Sequence, residues 1–139
     1  MRLLILLFLI LSRAALAQDS LADLVRTTKV DSIKVIAWLR MGEHLEDTEP
    51  QRALGYSIQA MNWSKKVGYD KGLLKAYRQV AYIYSNLSRY DSMLHYSQKY
   101  YDLAKINKDD YHMGLALFNM GEGYKQIGKY EESLDHTFR

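Results

Sequence analysis

The 139-residue sequence contains no cysteine. Disulfides, thiolate metal sites and cysteine nucleophiles are thereby excluded, so packing alone must hold any core. Proline occurs once, at Pro50, and few positions therefore force the backbone out of a helix. Charge is nearly balanced, with 19 Lys and Arg against 16 Asp and Glu. Nucleic-acid binding rests on clustered cations meeting phosphates, and this composition gives no reason to expect it. The four histidines, His44, His95, His112 and His136, never form an H-x-x-x-H pair, and no G-x-S-x-G or S-x-x-K motif is present. Gly121, Gly123 and Gly128 in "MGEGYKQIGKY" have the spacing G-x-G-x-x-x-x-G. No Lys-Ser or Lys-Thr pair follows them and the run before them, "YHMGLALFN", lacks β-branched strand character, so they do not make a phosphate-cradling loop. The expectation is a protein that is not an enzyme and takes neither cofactor nor metal.

Long apolar runs are also missing, apart from Leu3 to Leu11 near the start. Arg2 precedes that run and Ala15-Leu16-Ala17 follows it. A positive residue, a short apolar core and small residues at the cleavage positions describe a secretory signal peptide over 1–17, with Gln18 as the first mature residue. Nine apolar residues are too few to cross a bilayer, and Arg13 interrupts the stretch, which disfavours the alternative of an uncleaved anchor. Removing 1–17 takes out Arg2 and Arg13 and lowers the formal charge from +3 to +1. The mature chain is thus expected outside the cytoplasm, periplasmic or extracellular, with no membrane segment of its own.

What is abundant is a repeat. "YRQVAYIYSNLSRYDSMLHYSQK" (77–99) aligns without a gap on "LFNMGEGYKQIGKYEESLDHTFR" (117–139), 40 residues later. Tyr84 matches Tyr124, Tyr90 matches Tyr130, Leu94 matches Leu134, and Leu87/Ile127, Arg89/Lys129 and Asp91/Glu131 keep chemical type. One step earlier, in 37–59, Leu54 keeps the leucine column and Ala53 the small position of Ser133, while His44 and Pro50 replace the two tyrosines. Within each unit apolar residues fall three or four apart, as in Leu73, Leu74, Tyr77, Val80, Ala81 and Tyr84, which is the period of a helix. Each unit is therefore predicted to be a pair of helices. The breaks are "EDTEPQR", where Thr48 or Glu49 can cap and Pro50 suits a first turn, then "NLSRY", and "QIGKY", where Gly128 can take a left-handed helix end. In "KDD" (108–110) the acids read as the cap of the next helix. Gly121 falls in mid-helix at a cost of about 1 kcal/mol relative to alanine, which close approach of a partner helix would offset. Gly123 reads as a tolerated weak point.

A mid-helix Gly or Ala, a Tyr three residues on, a turn Gly and a small residue on the second helix resemble the tetratricopeptide repeat (TPR) family. Gly121, Tyr124, Gly128 and Ser133 carry the resemblance in the last copy, and Ala81, Tyr84, Ser88 and Met93 in the one before. The step of 40 is longer than the family's usual value of about 34. Such extended repeats, with openings like "GYDKGLLKAY", look like those in front of bacterial sensor kinases and transcription regulators. The resemblance implies an all-α solenoid over 31–139, with about three hairpins of which the last is incomplete, after a lead-in at 18–30 with room for a short helix.

The same resemblance implies that the first helix of each hairpin lines a concave groove. Its register falls on Trp38, Gly42, Arg78, Tyr82, Ser85, Phe118, Glu122 and Lys125, a mixture suited to an extended peptide or a partner helix. The alternative is a groove that only faces water. Four of the twelve tyrosines, Tyr84, Tyr90, Tyr124 and Tyr130, occupy repeated columns and read as structural. The family's Lys and Asn clamp for terminal carboxylates is not preserved, because Trp38, Gly42, Gln79 and Leu115 stand at four of its positions. The function implied is an exported protein that binds a protein or peptide partner. The rival is the sensory or relay segment of a longer membrane-bound histidine kinase or transcriptional regulator. The last helix, Tyr130 to Phe138, is short and its apolar face has no following repeat to cover it, so self-association or fraying is expected there.

Overall fold

The computed structural model describes residues 18–137. The export segment expected at 1–17, and Phe138, lie outside the described residues. Six helices follow a helical lead-in at 18–27: α1 (Asp31–Glu43), α2 (Pro50–Val67), α3 (Asp70–Asn86), α4 (Tyr90–Ile106), α5 (Asp110–Gln126) and α6 (Tyr130–Thr137). Among the described residues there is no strand.

From α3 onward the helices begin at 70, 90, 110 and 130, so the 40-residue repeat consists of two structural steps of 20. The turns explain the step. Gly68, Ser88, Lys108 and Gly128 all have positive φ, at 67°, 55°, 54° and 77°. At each turn the same two hydrogen bonds close the helix, for example Gly128 N–H to the Lys125 carbonyl at 3.1 Å and Lys129 N–H to the Tyr124 carbonyl at 2.9 Å. This left-handed end satisfies carbonyls that the finished helix leaves open. Starts are less uniform. Pro50 occupies the first turn of α2 and Glu49 the cap position, but the Glu49 side chain pairs with Arg52 at 2.6 Å and makes no cap hydrogen bond. Asp109 does cap α5, accepting from the His112 N–H at 3.0 Å.

Each helix packs on its neighbours in sequence, and the contacts close at small residues. Ala53, Ser57, Ala60, Ala76, Ala81, Ser97, Ala104 and Ala116 are fully buried. Gly121 is also buried. Gly123 corrects the reading of it as a mere weak point: a Cβ there would lie 2.8 Å from Leu94 Cδ2 of α4, so glycine is what lets α5 seat on α4. The main core joins Val35 and Leu39 of α1, Ala60 and Met61 of α2, and Leu73, Leu74 and Tyr77 of α3 to Tyr100, Ala104 and Ala116.

The odd-numbered helices touch one another, α1 on α3 and α3 on α5, whereas among the described residues the even-numbered helices touch only their sequence neighbours. An array that is tighter along one layer curves toward it. The odd helices therefore form the inner, concave layer of an α-solenoid.

Ser88 and Lys108 hold a backbone conformation that costs an L-residue about 1 to 2 kcal/mol and glycine nothing. Ser88→Gly and Lys108→Gly are expected to raise the melting temperature, and Gly128→Ala to lower it, in calorimetry of the full chain. Melting below the parent for both glycine variants would contradict this account of the turns.

Candidate functional site

The inner face repeats every 40 residues: Trp38, Arg78 and Phe118 form one row, Gly42, Tyr82 and Glu122 a second, Leu45, Ser85 and Lys125 a third. Arg78 and Tyr82 are exposed on α3, Phe118 and Lys125 on α5, while Ser85 and Glu122 are half-buried. Tyr82 is 44% and Phe118 60% exposed, high values for aromatic side chains in a packed array. Lys125 and Glu122 lie 3.6 Å apart on the surface of α5, a pair that contributes little in water.

Two positions differ from the expected groove lining. The Trp38 ring meets Trp63 of α2 edge-on with centroids 5.9 Å apart, and forms part of the wall of a cleft of about 590 Å³ beneath residues 18–27. Trp63 is itself held by a hydrogen bond from its indole N–H to Asp31 and by Lys34 and Lys66 over its ring. Trp38 thus packs within the first hairpin, where Tyr82 and Phe118 stand open. Gly42 is buried, and a Cβ on it would lie 2.8 Å from the Ser57 hydroxyl. It contributes a close helix crossing and no binding surface. The family register carried over from one copy to another places backbone positions well, but it does not foresee which side chains the first hairpin uses internally.

Polar side chains of α3 tie it to α1 and to the segment that follows α1. Gln79 Nε2 donates to the Leu39 carbonyl at 3.0 Å, and its Oε1 accepts from the Ser57 hydroxyl at 2.9 Å, so one side chain joins three helices. Asn86 donates to the Glu46 carbonyl at 3.2 Å, and the Tyr82 hydroxyl reaches Asp47 at 3.3 Å. These bonds leave Tyr82 anchored at its tip with its ring faces exposed. The signal for them lay in the period: 39 and 79, like 46 and 86, are one repeat apart.

Burial pushes the Glu46 carboxyl above its ordinary value; Gln79 and Arg78 oppose the rise, and Asp47 and Glu43 reinforce it. The Asp109 carboxylate is held below the usual range by the His112 N–H and ring. Among the described residues no group of three His, Asp or Glu side chains is placed to hold a metal ion, and no helix is long and apolar enough to cross a membrane. The inner face offers exposed aromatic area, cationic side chains and hydrogen-bonding tips.

A carboxyl whose pKa is raised by folding favours the folded state when protonated. That contribution is complete below the unfolded pKa and is lost as pH rises through the folded value. Glu46→Gln keeps the side chain neutral and is expected to melt above the parent at pH 7, with the gap closing as both are acidified through the Glu46 titration. Identical melting at pH 7 would remove the strain assigned to Glu46.

No family model and no curated protein matches the sequence. Among solved structures, the chain is similar to the crystal structure of the TPR domain of Arabidopsis FLU, with a TM-score of 0.73 and 17% identity over 77% of this chain and 91% of that one. At that identity the likeness speaks to architecture. The repeat, the paired helices and this superposition agree that the chain folds as a TPR-like α-solenoid.

Proposed function

We propose that this chain is an exported, non-catalytic module that binds a protein or peptide partner along its concave face. The observation that carries the reading is the exposure of Arg78, Tyr82 and Phe118 on adjacent inner helices that are otherwise closely packed. Aromatic and Arg side chains are enriched among the residues that dominate binding energy at protein interfaces, the aromatics because they bury large area and Arg because its planar fork directs several hydrogen bonds. The export part rests on the signal-peptide pattern at 1–17, and N-terminal sequencing of secreted or periplasmic material should read Gln18 first; retained Met1 would remove it.

A photo-crosslinking amino acid at Phe118 should capture a partner in cells, whereas the same group at His95, exposed on α4, should not. Arg78→Ala with Tyr82→Ala should abolish the Phe118 adduct while helical circular dichroism and melting stay near those of the parent. Capture that persists in the double variant, or that occurs equally from His95, would place binding elsewhere.

The reading extends to a second copy of the chain. Within the chain, α4 presents Leu94 to α5; the matching face of α6 presents Leu134 and Tyr130, which are 58% and 66% exposed. The docking that α4 makes inside one copy would serve α6 between two. Sedimentation of the full chain is expected to show concentration-dependent association that Leu134→Glu suppresses, and a parent that stays monomeric at high concentration would refute it.

A further inference from the structure

Resting on the export reading, we propose that cleavage after Ala17 is followed by closure of Gln18 into a pyroglutamyl lactam, so that the lead-in helix begins with a neutral ring and no free amine. A terminal glutamine carries its own electrophile. Its amine and its side-chain Cδ are joined through Cα, Cβ and Cγ, so attack closes a five-membered ring, and reacting groups held in one residue gain a large effective concentration. The lone pair of the α-nitrogen attacks Cδ and the N–Cδ bond forms. The Cδ–Nε2 bond breaks, and Nε2 leaves as ammonia with a proton given up by the attacking nitrogen. No oxidant, metal or water is consumed.

The folded chain favours the product in three ways. Gln18 stands at the first position of the helix over 18–27. A helix start carries partial positive charge, which suits Asp19 and Asp23 and opposes an ammonium; the lactam removes that charge. Gln18 is half-buried, and its Nε2 is enclosed with no hydrogen-bond partner. An enclosed donor without a partner is costly, and this is the atom that departs. A five-membered ring is tolerated at a first helical position, as proline's is, because the N–H there has no intrahelical acceptor.

The lead-in helix has reason to need a protected start. It spans only 18–27, short of the roughly 12 to 15 residues at which an isolated helix becomes marginal in water. It therefore relies on seating Leu21, Ala22 and Val25, all half-buried. Its far end is closed by the Thr27 hydroxyl donating to the Asp23 carbonyl at 2.8 Å and by the Thr28 N–H donating to the Leu24 carbonyl at 3.0 Å. Asp19, Ala22 and Val25 also roof the cleft whose other wall is Trp38, Met41 and Tyr56. Removal of residues from the amino end would strip that roof. Aminopeptidases act on a free α-amine, and the lactam withholds it.

The test expresses the full-length precursor in cells that export it. The recovered protein is reductively methylated while intact, so that every free amine is marked, and is then digested with trypsin and read by mass spectrometry. The peptide 18–26 is expected unmarked at its terminus and lighter by one ammonia than the linear form. Marking before digestion separates a lactam made in the cell from one formed during handling. Gln18→Ala should give a marked terminus at the same cleavage site, and an aminopeptidase should shorten that variant while the parent stays whole. A marked Gln18 would overturn the lactam and leave the export reading standing. A first residue other than Gln18 would overturn the lactam together with the cleavage site, and a retained Met1 would overturn the export reading as well. Trimming of the parent as fast as the variant would overturn the protective role.

Discussion

Close approach of helices at small side chains is the constraint on which the rest of the structure depends. Gly42, Gly72 and Gly123 stand where a methyl group would lie 2.8 Å from Ser57 Oγ, Ser64 Oγ and Leu94 Cδ2 respectively. Fully buried Ala and Ser residues fill the neighbouring columns. Cores packed at crystal density have no room for an added methylene unless something moves. Because the three crossings involve α1 with α2, α2 with α3, and α4 with α5, the constraint fixes how hairpins form and how they stack. The inner helices are thereby brought into contact, and the concave face with its exposed Tyr82 and Phe118 follows from that packing.

Polar bonding across repeats makes the two junctions unequal. At the first, Gln79 receives the Ser57 hydroxyl and reaches back to the Leu39 carbonyl. One repeat later Ser97 replaces Ser57 and Asn119, shorter by a methylene, replaces Gln79. The Ser97 hydroxyl is buried without a partner there. Satisfied buried networks rigidify and unsatisfied groups cost stability. The junction of α1 with α3 is accordingly the firmer one, while beside the junction of α3 with α5 the Ser97 hydroxyl stays buried and unpaired.

Much of this architecture was legible in the sequence, for physical reasons. Tyr84/Tyr124, Leu94/Leu134 and Gly128 reveal a 40-residue period because every copy solves the same packing problem at the same depth. The half-step of 20 was hidden. The breaks at "NLSRY" and "KDD" were legible, but the left-handed conformation of Ser88 and Lys108, which only glycine advertises, shows only in their dihedrals and hydrogen bonds. Gly123 looked incidental because its reason is Leu94, a neighbour in space that lies 29 positions away. In the candidate site, Arg78, Tyr82 and Phe118 were found by register and stand exposed, while Trp38 and Gly42 share the register but are drawn into the first hairpin by Trp63 and Ser57.

Chemical-shift mapping would show whether binding belongs to the inner layer. Full-length protein labelled with nitrogen-15 would be titrated with a peptide selected on it, and the shifted amides placed on the helices. Shifts are expected on the exposed faces of α3 and α5, at Arg78, Tyr82, Phe118 and Lys125, with α2 and α4 nearly silent. Shifts concentrated on α2 and α4, or confined to the cleft beneath residues 18–27, would contradict it.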